Sequence, residues 1–260
     1  MNMSSNDTFW GIRCVWLRYF DVYCKNLAYG LMTTFAEPIL YVLSFGYGLG
    51  SMIGRVNLGG IDLSYRQFIF AGLVAQAVLF QGFFDGAYGS FIRMYYQKIF
   101  KAMACTPVTL SEVLWGELLW DASKATFSAS VVLLIGTVVG DFRWAGALLC
   151  IPVCFLGALI FGSFGLWVSG ASKTLEQISY PNYLVVFPMF LFCGVYFPLT
   201  QLPLPLQKFA WFLPLTSLLS LVRTLTLGTP FAIQALPILF VWLVILVWGS
   251  RRQMINRLIK

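Results

Sequence analysis

Long apolar runs alternate with short polar interruptions along this chain, and the runs have the length that crosses a bilayer. Residues 27 to about 50, 67 to about 90, about 111 to 139, 144–171, 178 to about 197 and 232–250 carry few charges, and roughly 20 apolar residues suffice for a transmembrane helix. The pattern predicts an all-α polytopic membrane protein of six spans. In front of the first span, residues 8–25 set Phe9, Ile12, Trp16, Phe20 and Tyr23 three and four positions apart, with Arg18, Asp21 and Lys25 on the opposite face. That is the period of an amphipathic helix lying on the membrane interface. A cytosolic helix packed on its own chain is the plainer alternative.

The interruptions differ in chemistry. Segment 51–66 returns through Gly54, Asn57, Gly59 and Gly60, which are turn residues. The longest interior polar segment, 93–112, carries Arg93, Lys98 and Lys101. Within it Thr106-Pro107 stops one helix, and Thr109-x-x-Glu112 has the form of a capping box that opens the next. Asp141 with Arg143, and Lys173 with Glu176, mark short turns. From 198 to 230 the chain is apolar yet broken by Pro198, Pro203, Pro205, Pro214, Gly228 and Pro230. Irregular apolar backbone at membrane depth needs protein or a cavity around it, which predicts short re-entrant helices on the outer side between spans five and six. Gly157, Gly162, Gly165 and Gly170 suit span four to close helix contact.

Composition sharpens the class. Of 260 residues, 59% are hydrophobic and 10% charged, with a mean hydropathy of +0.80; a soluble surface needs more charge than this. The formal net charge of +7 does not point to nucleic acid, because the cations sit at the ends of apolar runs rather than on one face. Arg13, Arg18, Lys25, Arg93, Lys98, Lys101, Lys173, Arg251, Arg252, Arg257 and Lys260 fall on one side. Arg55, Arg66, Arg143, Lys208 and Arg223 fall on the other, eleven against five, so both termini and the 93–112 loop are expected in the cytosol.

Candidate chemistry is sparse. The six cysteines are scattered without disulfide clustering or CxxC spacing, and there is no histidine; neither a metal site nor a hydrolytic centre is expected. Glu37 lies in the first span, where a carboxylate needs a partner, a watery cavity or a proton. Asp85 is near enough to the polar loop to be wetted, and Glu117, Asp121 and Lys124 share a helical face on which they partly neutralise one another. No GxxxxGK[ST] occurs, so a nucleotide that drives this protein is bound by another polypeptide. Six spans make a small bundle for a large path, which favours a homodimer with the path between subunits.

Three stretches carry a likeness that covers most of the chain. They are FFDGAYGSFIRMYYQKIFKAMACTPVTLSEVLWGELL, FLFCGVYFPLTQLPLPLQKFAWFLPLTSLLSLVRTLTLG and EPILYVLSFGYGLG. The first resembles the segment of type-2 ABC exporter permeases in which a basic loop leads through a T-P turn to the third span. The second has the G-x-Y-F-P, Q-L-P, P-L and late Arg of the nodulation protein J group, permeases for lipo-oligosaccharide export. The third is similar to the first span of that group. The resemblance implies a coupling helix of Lys98, Ile99, Phe100, Lys101, Ala102, Met103 and Cys105 that docks on a cytosolic ABC ATPase subunit, with Thr106 and Pro107 fixing its angle. It implies that the 8–25 helix flanks this contact. It also implies an exit gate at 197–223, including Phe197, Pro198, Pro203, Pro214, Ser217 and Arg223. Ser217 stands where many relatives carry a histidine.

The function so implied is a single permease domain, 1–260, of an ATP-driven exporter in the inner (plasma) membrane, moving a lipo-oligosaccharide, polysaccharide or other amphiphilic glycan. ATP and Mg are used by the partner; no cofactor is bound by this chain. A path at the dimer axis would be lined by Glu37, Tyr41, Phe45, Tyr183, Phe187, Phe190 and Tyr196, because aromatic faces suit sugar rings and acyl chains. Core packing or an interfacial belt is the other role for such aromatics. Efflux of a hydrophobic drug or small amphiphile uses the same architecture. An intramembrane lipid-modifying enzyme built on Glu37, Asp85 and Glu117, and a membrane anchor that transports nothing, complete the alternatives.

Overall fold

The computed structural model describes residues 5–26, 30, 32, 36, 39, 40, 43, 44, 48, 54–58 and 60–259. Most of the expected first span, with Glu37, Tyr41 and Phe45, lies outside the described residues. The chain runs through α1 (Ser5–Lys25), a hairpin of β1 (Arg55–Leu58) and β2 (Ile61–Ser64), and α2 (Tyr65–Phe84), which continues into π-helical turns at Asp85–Gly89 and Ile92–Tyr96. Then come α3 (Ile99–Ala104), α4 (Leu110–Val138), α5 (Trp144–Ala171), and α6 (Leu175–Pro181), which passes through a π turn at Asn182–Val186 into α7 (Phe187–Phe192). A 3-10 turn at Leu199–Gln201 leads to α8 (Leu204–Phe212), α9 (Pro214–Leu227) and α10 (Ala235–Ile259).

The hairpin is a departure from a purely helical chain. Val56 pairs with Leu63 and Leu58 with Ile61, so these four apolar side chains share one face while Asn57 and Asp62, hydrogen-bonded at 2.9 Å, share the other. Gly60 takes φ +87° at the turn, a backbone that a side chain disfavours. The glycines of this segment mark a turn between strands, not a loop alone. Ser64 then caps α2 through a reciprocal box with Gln67.

Among the described residues, four helical stretches are long and apolar enough to cross a membrane: Tyr65–Tyr96, Leu110–Val138, Trp144–Ala171 and Ala235–Leu258. The pair Leu204–Phe212 and Pro214–Leu227, bent by 85°, adds a fifth if it is one broken span. The stretch from α6 through α7 is not among them. Glu176, Gln177 and Asn182, with Pro181 and Pro188, lower its apolarity below that of a plain span. This is an all-α polytopic membrane fold to which a small hairpin has been added.

Contacts fix the ends. Tyr65 donates to the Tyr196 carbonyl at 3.5 Å, and Arg66 grips Asp141 through Nε at 2.8 Å and Nη2 at 3.1 Å. The hairpin, the α4–α5 turn and the α7–α8 connection therefore lie at one end of the bundle. At the other end Arg257 donates to the carbonyls of Ser169 at 2.8 Å, Gly170 at 3.2 Å and Ser172, supplying the final turn of α5 with the donors that a helix C-terminus lacks.

Helix α5 is the hub, touching α2, α4, α9 and α10. It can be so because its small residues admit neighbouring backbones. A Cβ on Gly165 would lie 2.6 Å from the Phe83 carbonyl oxygen, and one on Gly86 would lie 2.5 Å from that of Gly162. Among apolar helices in lipid there is little hydrophobic drive to associate, so close contact of this kind supplies the attraction. Replacing Gly165 by Leu is expected to cost about 3 kcal/mol, or on the order of 10 °C in unfolding midpoint. Gly249→Ala, which meets nothing within 4 Å, should not lower the midpoint in the same detergent melts.

Candidate functional site: the central loop and its ionic anchor

The loop at 93–112 begins with a change of backbone hand. Lys98 has φ +53°, the one positive φ outside glycine among the described residues, and it opens α3. Along α3, Phe100 and Met103 turn inward and are buried. Lys98, Lys101, Ala102, Cys105, Thr106 and Pro107 are exposed, and Ile99 is half-buried. Thr106 donates to the Met103 carbonyl at 2.6 Å, which closes the helix just where proline forbids its continuation. Thr109 accepts from the Glu112 amide and the Glu112 carboxylate accepts from the Thr109 amide. The loop is thus a short helix, a stop and a capped start, with one face fixed to the bundle and one face offered outward.

Behind the loop sits a buried ionic cluster. Arg93 reaches Glu117 Oε1 through Nε at 2.6 Å and Nη2 at 2.5 Å, and Asp121 Oδ1 through Nη2 at 3.1 Å. Glu117 and Asp121 side chains are 0% exposed. Ser90 donates to the same Glu117 oxygen at 2.5 Å. Asp85 stands 4.0 Å from Arg93 and pairs with Lys124 at 2.9 Å. The expected self-paired face of Glu117, Asp121 and Lys124 is thereby divided: the two acids turn to Arg93 on the neighbouring helix, and the lysine turns to Asp85. Of the acids on which an intramembrane enzyme would be built, Asp85 and Glu117 are held in ion pairs, and Glu37 lies outside the described residues.

The sequence signal for this arrangement was faint. Asp85 and Arg93 lie eight residues apart, near one helical face, but two π turns intervene. Each widened turn shifts the following side chains relative to a regular helix, so a count at 3.6 residues per turn does not show where Arg93 points. Opposite charges on adjacent spans were the available clue.

Helix α1 closes the cluster from outside. Its buried stripe is Gly11, Val15 and Tyr19, flanked by Ile12, Trp16 and Tyr23, whereas Phe9 and Phe20 of the amphipathic pattern remain exposed, as does Trp10. A Cβ on Gly116 of α4 would meet Val15 at 2.6 Å, and one on Gly11 would meet the Glu112 carboxylate at 2.5 Å. Trp16, Tyr19 and Tyr23 surround Trp120, and the Arg93 guanidinium lies 5.2 Å from the centre of the Tyr19 ring. Burial, reinforced by the Glu117 charge, holds the Tyr19 phenol well above its ordinary pKa. The helix therefore packs on its own chain and keeps a separate aromatic face outward.

The other predicted positions divide by exposure. Tyr183 and Phe187 stand on an exposed apolar strip with Tyr180, Leu184 and Leu191. Phe190 is buried against Phe80 and Tyr196, as core packing. At the far end Pro198, Pro214 and Ser217 are buried, Phe197 is half-buried and Pro203 exposed. Arg223 is buried without an acidic partner among the described residues; it donates to the Gly194 carbonyl at 2.8 Å and lies 3.9 Å from the centre of the Phe68 ring.

Removing Arg93 leaves two buried carboxylates without their cation. Arg93→Met is expected to destabilise the protein by about 3–5 kcal/mol, seen as a lowered unfolding midpoint in detergent. Adding Glu117→Gln to that variant should recover part of the loss; an unshifted midpoint for Arg93→Met alone would contradict the assignment.

Residues 11–227 match the sequence model of the family described as ABC-2 type transporter. The chain is 32% identical over 218 residues to Nodulation protein J of Rhizobium leguminosarum bv. viciae, covering 84% of this chain and 83% of that protein. It is 34% identical over 216 residues to Nodulation protein J of Rhizobium leguminosarum bv. trifolii, covering 83% and 81%. The inner membrane transport permease YadH of Escherichia coli K12 is 24% identical over 192 residues, covering 74% and 73%. With a bundle of apolar spanning helices and a family match across most of its length, this chain is a multi-pass membrane protein that belongs to the ABC-2 type transporter family.

Proposed function

We propose that this chain is the permease subunit of an ATP-driven exporter that moves a lipo-oligosaccharide or other amphiphilic glycan outward across the inner membrane. The reading has six spans, both termini in the cytosol, and a homodimer. The observation that carries it is the two-faced loop: Phe100 and Met103 hold α3 to the bundle, while Lys98, Lys101, Ala102, Cys105, Thr106 and Pro107 form a compact exposed face. A separate ATPase subunit binds ATP and Mg and presses on that face. Because Arg93 ties the helix leading into the loop to Glu117 and Asp121 on the helix leaving it, the push reaches α2 and α4 together as a rigid-body movement.

The exposed strip bearing Tyr183 and Phe187 supports a path or subunit contact along α6 and α7, with Phe190 and Tyr196 packed behind it. The bent pair α8 and α9 supports re-entrant helices at the exit, with Ser217 and Arg223 at its inner side. Arg223 fastens α9 to the Gly194 turn and to Phe68 of α2. The glycan cargo follows from likeness to the nodulation protein J group.

The coupling assignment is tested by purifying the chain from gently solubilised membranes and measuring ATPase activity in the eluate. Wild type should bring down an ATPase, and the combined Lys98→Ala, Lys101→Ala, Thr106→Ala variant should lose at least about tenfold of that activity at equal permease yield. Equal activity in both places the contact elsewhere. Arg223→Ala is expected to keep the ATPase bound while export falls severalfold in vesicle assays; unchanged export would remove Arg223 from the gate.

A further inference from the structure

A cavity of about 490 Å³ lies between α1, the π-helical end of α2, the start of the central loop and α4. The export reading does not use it. Among the described residues, Arg18, Arg93 and Lys124 face it with a single carboxylate, Asp85. Glu117 and Asp121, which balance Arg93, are not part of its wall. Arg18 is in no ion pair among the described residues, and Lys124, with three N–H donors, pairs only with Asp85. The Tyr23 hydroxyl is buried without a hydrogen-bond partner among the described residues, and the Tyr19 hydroxyl lies beside the Glu117 carboxylate. The cavity thus presents unused donors on a wall where cationic side chains outnumber carboxylates.

The rest of its wall narrows the ligand. Val22, Ile92 and Trp120 are apolar or aromatic, and α1 carries a further exposed aromatic face in Phe9, Trp10 and Phe20, as residues at a membrane–water interface do. A cation would find Arg18 and Lys124 on the wall and Asp85 already paired with Lys124. A bare inorganic anion would satisfy the donors and leave the apolar wall in contact with water. A phosphate ester that carries an acyl-bearing glycerol satisfies both, since charge-assisted hydrogen bonds hold its oxygens and the wall covers its carbon. We propose that this cavity binds the phosphate of a membrane phospholipid headgroup, with Arg18 and Lys124 as its principal donors. This inference does not rest on the export reading.

The test uses the full chain, purified and stripped of lipid in a neutral detergent. Its unfolding midpoint is followed while a short-chain phosphatidylglycerol, the matching diacylglycerol, or inorganic phosphate is added. Phosphatidylglycerol should raise the midpoint saturably by several degrees, and the other two should not. Arg18→Gln, which breaks no ion pair and so keeps the lipid-free midpoint, should raise the half-saturating concentration at least about tenfold; Lys124→Gln should do so as well. An equal shift with diacylglycerol would make this an acyl-chain effect, and an equal shift with inorganic phosphate a soluble-anion site. Either result, or an unchanged half-saturation in Arg18→Gln, overturns the assignment.

Discussion

Three carboxylates drawn into one end of a helical bundle need cations at close range, and Arg93 answers most of that need. Glu117 and Asp121 are fully buried and share its guanidinium, whose planar fork can address two acids where a lysine offers only a point charge. Isolated, either acid would be costly at that depth. Together with Arg93 they clamp the helix that enters the central loop to the helix that leaves it. The loop's outward face, the seating of α1 and the cavity beside Lys124 all take their positions from this clamp.

The clamp works because the helices behind it cannot slide. Gly86, Gly162 and Gly165 bring α2 and α5 to backbone contact, and Arg257 ties the tail of α10 to the last carbonyls of α5. An ionic cluster in a loose bundle would admit water and weaken; in a tightly packed one each hydrogen bond is made in a low-dielectric setting and holds its geometry. Packing and electrostatics therefore support one another at this end. At the opposite end Arg66 with Asp141, and Arg223 with Gly194 and Phe68, fasten the hairpin and α9 by the same combination of charge and close contact.

Helix α1 shows how one amphipathic sequence serves two surfaces. Its pattern of Phe9, Ile12, Trp16, Phe20 and Tyr23 reads as a single apolar stripe, yet the bundle takes Gly11, Val15 and Tyr19 and leaves Phe9 and Phe20 exposed. Gly11 and Val15 let the backbones approach closely, Tyr19 packs on Trp120 beside them, and Phe9 and Phe20 stay outside.

What the sequence determined by itself follows from local chemistry. The proline stop at Thr106-Pro107, the capping box of Thr109 and Glu112, the close-packing glycines and the break at Pro214 are each set by a few neighbouring residues and a fixed helical geometry. The ordered motifs also carry the family. The tertiary structure decided what depends on phase and partnership: that Arg93 rather than Lys124 answers Glu117 and Asp121, that Val15 and Tyr19 are the buried stripe of α1, that Phe190 is core while Tyr183 is exposed, and that residues 55–64 pair as strands. Two π turns shift the face on which Arg93 emerges, and a side chain's partner lies on another helix whose rotation no local pattern fixes.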